Sequence, residues 1–249
     1  MLLSADHLIG YGIQARDGDI GKTVDLLFDQ DDWAVRYLVV KTGGWLFGRE
    51  VLLYMGAVGW PDGKTNVFPV DLSREQVEHC PDISTAPPIS RKNEAEMFLY
   101  YNWPTYWLPG GVGAGFPAAP VPFPPDDVKK KGDSKTGEGD PSLRSVKEIT
   151  GYHIRARDGE IGHAGDLIVD DETWVILYIV IDTRNWLPGS RVIVSTRWID
   201  SISWDSKMIE VDLPREKIRN SPPYDPAAPV NREYEDRLFD YYGRPKYWE

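Results

Sequence analysis

Apolar positions along the chain fall in short runs that alternate with polar ones, the period of strands rather than of helices. Gly12 to Phe28 reads as two strands around a tight turn at Asp17-Gly18, and Asp158-Gly159 marks the same turn further on. Glycine tolerates the positive φ of such a turn and Asp favours it. Gly21 and Gly162 mark a bulge or a close backbone approach. An acidic turn, Asp29 to Asp32, leads into Trp33-Ala-Val-Arg-Tyr-Leu-Val-Val40, and Asp170-Asp-Glu-Thr leads into Trp174-Val-Ile-Leu-Tyr-Ile-Val-Ile181. Their β-branched and aromatic content, with partial alternation, predicts strands buried on much of both faces. Val51–Tyr54 and Arg191–Ser195 predict another strand. A hairpin follows, turned at Pro61-Asp62-Gly63 or Asp205-Ser206 and ending in Val67–Val70 or Met208–Val211. About six short strands per segment, with regular turn signals, predict a small barrel that leaves few exposed edges. A short helix is expected near Ser73 to Cys80 and Pro214 to Asn220. Ser73 and Gln76 fit a capping box, and Pro214 suits a first turn. A Pro-rich stretch precedes a second helix, Glu94 to Tyr101 or Glu233 to Tyr242, capped by Ser90 or Asn231.

Most of these features occur twice. Gly10-Tyr11 returns as Gly151-Tyr152, Ala15-Arg-Asp-Gly18 as Ala156-Arg-Asp-Gly159, and Trp45-Leu46 as Trp186-Leu187, always 141 positions on. Val70-Asp-Leu72 returns as Val211-Asp-Leu213, and Phe98, Tyr100, Tyr101 and Trp107 return as Phe239, Tyr241, Tyr242 and Trp248. Chance does not hold one offset over such a length, so the chain is read as a tandem duplication. The division is 1–107 for the first repeat with its C-terminal arm, 108–142 for a linker, and 143–249 for the second repeat with its arm. The linker is rich in Gly, Ala and Pro and then in charge, a composition that cannot bury enough apolar surface to order itself.

The apolar–Asp-Gly-x-Ile-Gly pattern, an Asp four residues on, and a hydrophobic strand followed by Trp-Leu-x-Gly resemble the PRC-barrel family. The resemblance covers roughly Ser4 to Leu72 and Ser145 to Leu213, and the arms are similar to those of bacterial proteins with two such domains. It implies a mainly β fold of two six-stranded barrels, each followed by a short helix and a helical arm. The family includes the photosynthetic reaction-centre H subunit and the ribosome-maturation factor RimM. Its members bind or brace other macromolecules and are not known as an enzyme class. The resemblance therefore implies a non-catalytic binding or assembly module, with a link to stress suggested by the family alone.

Charge and composition narrow the partners. A net charge of −11 argues against a nucleic-acid surface, which needs clustered Lys and Arg. That weighs against the first rival reading, a ribosome- or RNA-associated factor by analogy with RimM. The single cysteine, Cys80, excludes an intrachain disulfide framework. The start of the chain shows neither a basic n-region nor an apolar h-region, and the longest apolar runs are far short of the roughly twenty residues of a membrane-spanning helix. The expectation is a cytoplasmic protein without membrane insertion.

Duplication also tests for chemistry, because a site of the ancestral unit should survive in both copies. None of the four histidines, His7, His79, His153 and His163, has a histidine counterpart, and no two lie at metal-ligand spacing. Cys80 beside His79 reads as a small residue at a helix end, since sequence neighbours rarely form a Cys–His pair. The acidic turns hold oxygen ligands for a cation but lack EF-hand spacing, so a solvated turn is the simpler reading. Asp25 and Asp166 read as bracing carboxylates. No catalytic constellation, cofactor or metal site is expected. What remains is aromatic: Trp45 and Trp186 in Gly-flanked loops, and Tyr101, Trp107, Tyr242 and Trp248 in the arms. Each loop Trp either caps a barrel end or anchors an unidentified protein partner, and each arm either folds back on a barrel, its own or its twin's, or serves as such an anchor. The second rival is a small-ligand sensor with a pocket between the barrels. The repeats are expected to form an intramolecular pseudo-dimer.

Overall fold

The computed structural model describes residues 1–81, 89, 91–103, 143–183, 191–228 and 230–248. The expected linker, Trp107 and the Trp186 loop lie outside them. In chain order the first part contains β1 (Leu2–Ser4), α1 (Ala5–Leu8), β2 (Gly12–Ala15), β3 (Gly18–Asp29), β4 (Val35–Thr42), β5 (Glu50–Tyr54), β6 (Val67–Pro69), α2 (Arg74–Glu78) and α3 (Arg91–Tyr101). The second contains β7 (Leu143–Ser145), α4 (Val146–Ile149), β8 (His153–Ala156), β9 (Gly159–Asp170), β10 (Ile176–Asp182), β11 (Arg191–Ser195), β12 (Ile199–Ser203), β13 (Met208–Val211), α5 (Arg215–Arg219) and α6 (Arg232–Tyr242).

The protein is mainly β, with two mixed sheets. One runs β5-β4-β3-β2-β6 and the other β11-β10-β9-β8-β13-β12. In each, one parallel pair, β2 with β6 or β8 with β13, sits among antiparallel ones. The ends of these paths are not joined: among the described residues no ladder pairs β5 with β6 or β11 with β12. In the first sheet the counterpart of β12 makes only the isolated bridges Val58↔Val70 and Asp62↔Val67.

Two compact units divide the chain differently from the sequence repeats. One holds Met1–Asp6 together with the chain from Lys147 onward; the other runs from His7 and takes in the residues before Lys147. The cause is visible in the pairing. The strand β1 pairs with β9, Leu3 opposite Val169 and Ser4 opposite Ile168. Reciprocally, β7 pairs with β3, Arg144 opposite Phe28 and Ser145 opposite Leu27. These registers are identical once 141 is added. Ser4 Oγ donates to Asp166 Oδ2 at 2.6 Å, and Ser145 Oγ bonds Asp25 in the same way. The carboxylates thus brace the incoming strand, the role expected of Asp25 and Asp166. Burial raises the Asp166 pKa, and the hydrogen bonds from Ser4 and from the amides of Asp6 and Leu167 oppose that rise. In the first-repeat unit the incoming Leu143 joins a buried cluster of Leu27, Tyr37, Val39, Leu52, Tyr54, Ile89, Met97 and Phe98. Neither short strand was expected from the sequence.

The arms fold back on their own sheets. Tyr37 hydroxyl donates to Glu94 Oε1 at 3.0 Å, and Tyr178 hydroxyl donates to Glu235 Oε1 at 2.6 Å. Both acids are buried, and in the second copy Tyr247 and Arg232 complete the shell at 2.7 and 3.0 Å. A buried carboxylate is tolerated only with such donors. The sequence presents these glutamates as acidic residues near a helix start; the structure makes them the pegs of α3 and α6. Ser73 and Gln76 form the expected capping box, and Asn231 caps α6. Pro214 precedes α5 as its N-cap rather than entering its first turn.

The strand preceding β4 bulges where Gly21 and Gly162 sit, with register breaks in both β2–β3 and β8–β9. A Cβ on either glycine would overlap the carbonyl oxygen of Lys41 or Asp182, and Gly162 has a φ of 152°. By contrast, a Cβ on Gly165 meets nothing nearer than Asp182 Cβ at 3.5 Å. Gly162→Ala should therefore lower stability by about 2 kcal/mol or more, whereas Gly165→Ala should be neutral or stabilising by about 0.5 kcal/mol. Urea midpoints followed by tryptophan fluorescence check both; equal midpoints for the two variants would contradict the close-approach reading.

Candidate functional site

The loop between β4 and β5 is built by its own backbone. Gly43 N–H donates to Ile20 O at 3.0 Å, and Thr42 Oγ1 donates to Arg49 O at 2.8 Å. Phe47, with a φ of 54°, and Gly48, with 71°, turn the chain back toward β5. Trp45 is half-buried here. Its Nε1–H donates to Ile20 O at 2.9 Å, and the Arg74 guanidinium lies 4.4 Å above its ring. The indole's polar group is thus used within the unit. The side chain that faces solvent is Phe47, 97% exposed, which sequence reasoning passed over. Its signal was available: the second copy reads Trp-Leu-Pro-Gly, with Pro188 in its place, so the fold does not require the phenyl ring.

Arg74 belongs to α2, and Asp17 fixes where that helix starts. Asp17 Oδ1 accepts from Arg74 N–H at 2.8 Å, and Asp158 accepts from Arg215 N–H at 2.7 Å. The shared Asp-Gly turns are therefore helix anchors. Tyr100 of α3 also reaches α2, its hydroxyl donating to Gln76 O at 3.1 Å. Its neighbour in sequence, Leu99, is 85% exposed. Loop and arm thus each contact α2, and each carries one bare apolar side chain, Phe47 or Leu99. The counterpart of Leu99 is Asp240, an exposed acid.

The other expected anchors divide. Tyr101 is half-buried, stacked on Trp103 at 4.2 Å and 14°; burial, then the neighbouring Cys80, pushes its hydroxyl pKa up. Tyr242 is 2% exposed and lies 4.6 Å from Trp198, so it is a core residue and presents no surface to a partner. Trp248 is half-buried against Phe239 at 5.0 Å, with the Arg232 guanidinium 4.3 Å over its ring. Trp107 and Trp186 fall outside the described residues. A recess of about 290 Å³ in the second-repeat unit is lined by Asp158, Ile161, Thr183, Arg215 and Arg219. Ile161 and Arg215 are the counterparts of the residues that hold Trp45.

The polar candidates resolve into structural roles. The ring nitrogen of His79 lies 2.9 Å from Glu75 O, and Arg49 donates to the carbonyls of Cys80 and Pro81 at 3.1 and 3.0 Å. His153 and His163 stand opposite each other on β8 and β9, a pairing the sequence spacing hid. Among the described residues no group of three His, Cys, Asp or Glu is placed to hold a metal ion. The acidic turns bond themselves: Asp29 accepts from Asp31 N–H, Asp32 from Ala34 N–H, and Asp170 from Thr173 Oγ1. No helix among them is long and apolar enough to cross a membrane.

Against known proteins, residues 2–77 match the PRC-barrel domain family. The match runs from β1 into α2, includes the Trp45 loop and ends before the arm helix α3. No curated protein matches the chain.

Asp29 is the turn carboxylate with a measurable consequence. Burial first, then the charge of Asp32, raises its pKa from 3.8 to about 6, with the Asp31 amide and Arg36 opposing. The folded chain thus favours the protonated form. Its stabilising contribution is complete below pH 3.8 and is lost as pH rises through about 6. At 1.36 kcal/mol per unit the span is up to about 3 kcal/mol. Asp29→Asn keeps the acceptor for the Asp31 amide and removes the charge. The variant should exceed the parent by up to about 3 kcal/mol at neutral pH and match it near pH 3.5. Urea unfolding across that pH range checks this; a constant difference between the two proteins would refute it.

Proposed function

We propose that this chain is a non-catalytic binding and assembly module of two PRC-barrel-like halves, whose first half meets a protein partner through the surface around α2. The likeness of residues 2–77 to the PRC-barrel domain supports the general class. The observation that carries the partner surface is the pair of bare apolar side chains, Phe47 and Leu99, present in one copy and replaced by Pro188 and Asp240 in the other. Neither side chain recurs at the matching position of the second copy, which supports reading both as dispensable for folding. Large exposed apolar groups beside an arginine–tryptophan stack have the composition of a binding hot spot. Trp45 then acts as the rigid base of the site rather than as its anchor. The net charge of −11 disfavours a phosphate backbone as the partner.

The test is capture from lysate of the source cells by the immobilised full chain and by a Phe47→Ser, Leu99→Asp double variant. Both side chains face solvent, so the variant should unfold at the parent's midpoint. It should lose its specifically retained proteins by about tenfold or more. Unchanged retention would exclude this surface.

A further inference from the structure

The strand position beside the C-terminal end of β3 and of β9 is filled by two segments that pair in the same way. Leu2-Leu-Ser4 and Leu143-Arg-Ser145 share the apolar first residue and the serine. They enter at the same register, and each serine bonds the equivalent aspartate, Asp166 or Asp25. The accepting edge therefore reads Leu-x-Ser by backbone pairing and one hydroxyl, to which the first strand adds the Met1 ammonium on Asp171 and the second adds Arg144 on Gln30. Both donors leave through four-residue helices, α1 and α4, within which the chain passes from one compact unit to the other, at Asp6–His7 and Val146–Lys147.

We infer that the β9 edge at Ile168–Asp170 is a docking site for the Leu2–Ser4 strand of a second copy of this chain, so that copies join by trading strands. The occupant in the single chain makes the contacts that a second copy's strand would make, and its one advantage is the covalent tether, which sets an effective concentration of about millimolar. A second copy competes as its own concentration approaches that value. This inference stands on the strand seam and not on the partner surface around α2.

The test uses two full chains, both carrying Cys80→Ser so that only engineered thiols react. One carries Leu3→Cys and the other Val169→Cys. These positions face each other across the antiparallel pair, within reach of a disulfide. Neither chain can close the bridge alone. The chains are unfolded, mixed, refolded and mildly oxidised at about 1 µM and about 100 µM, with a double Leu3→Cys, Val169→Cys chain as the fold control. A mixed disulfide dimer is expected in about a tenth of the chains at the higher concentration, falling about tenfold or more at the lower. It should stand clear of either variant refolded alone. Wild-type chain refolded at the higher concentration should show a matching dimer by sedimentation. Monomer alone at both concentrations, with the double chain closing its own bridge, would overturn the inference. A double chain that fails to close would overturn the pairing of β1 with β9 as well.

Discussion

Each unit depends on a three-residue strand that arrives from elsewhere in the sequence. The long strands β3 and β9 each have one edge covered along most of its length by β4 or β10. The other edge is shared: β2 or β8 takes its first part, and β7 or β1 its last. An uncovered edge of backbone donors and acceptors is costly in itself and invites aggregation. The incoming strand covers it, and Leu143 enters the hydrophobic cluster of the unit it completes. The Ser–Asp bond then sets register, because a slip by one residue would turn the leucine out and the serine away from its acceptor.

Beyond that seam several polar contacts are also used twice. Tyr37 and Tyr178 each give a hydroxyl to a buried glutamate on the arm. Asp17 and Asp158 each cap the backbone of the following helix. Arg16 with Asp71 and Arg157 with Asp212 repeat an exposed ion pair, which at such exposure adds little. Each arm helix is therefore held by one buried carboxylate that accepts from a tyrosine and by a wall of aromatic contacts.

Strands, turns and helix starts were legible in the sequence because their causes are local. Asp-Gly at a tight turn, Ser73 with Gln76 at a helix start, and glycine where a carbonyl comes close all announce themselves within a few residues. The exchanged strands did not, because Leu2–Ser4 is too short to show a period and its partner, β9, lies more than 160 positions away. Glu94 and Glu235 were misleading for a related reason: an acid near a helix start has a ready local explanation, and only the tyrosine fifty-seven positions earlier shows that it is buried. Trp45 drew attention by residue type, yet its ring is pinned by Ile20 and Arg74, and it is Phe47 that stands in solvent.

The repeat at an offset of 141 separates positions that keep the same bonds from positions that differ. Residues that recur with the same bonds, such as Asp25 and Asp166, Tyr37 and Tyr178, or Gly21 and Gly162, are accounted for by the fold. Those that differ carry whatever distinguishes one half from the other: Phe47 against Pro188, Leu99 against Asp240, Cys80 against Ser221. The change at Leu99 is the most telling of these. The helix positions are equivalent and both face solvent, so burial exerts no pull on either. A charged residue there is the ordinary outcome for a solvated helix face. A leucine there, like the exposed phenylalanine of the β4–β5 loop, raises the free energy of the isolated chain in water, an excess that is offset once another surface covers it.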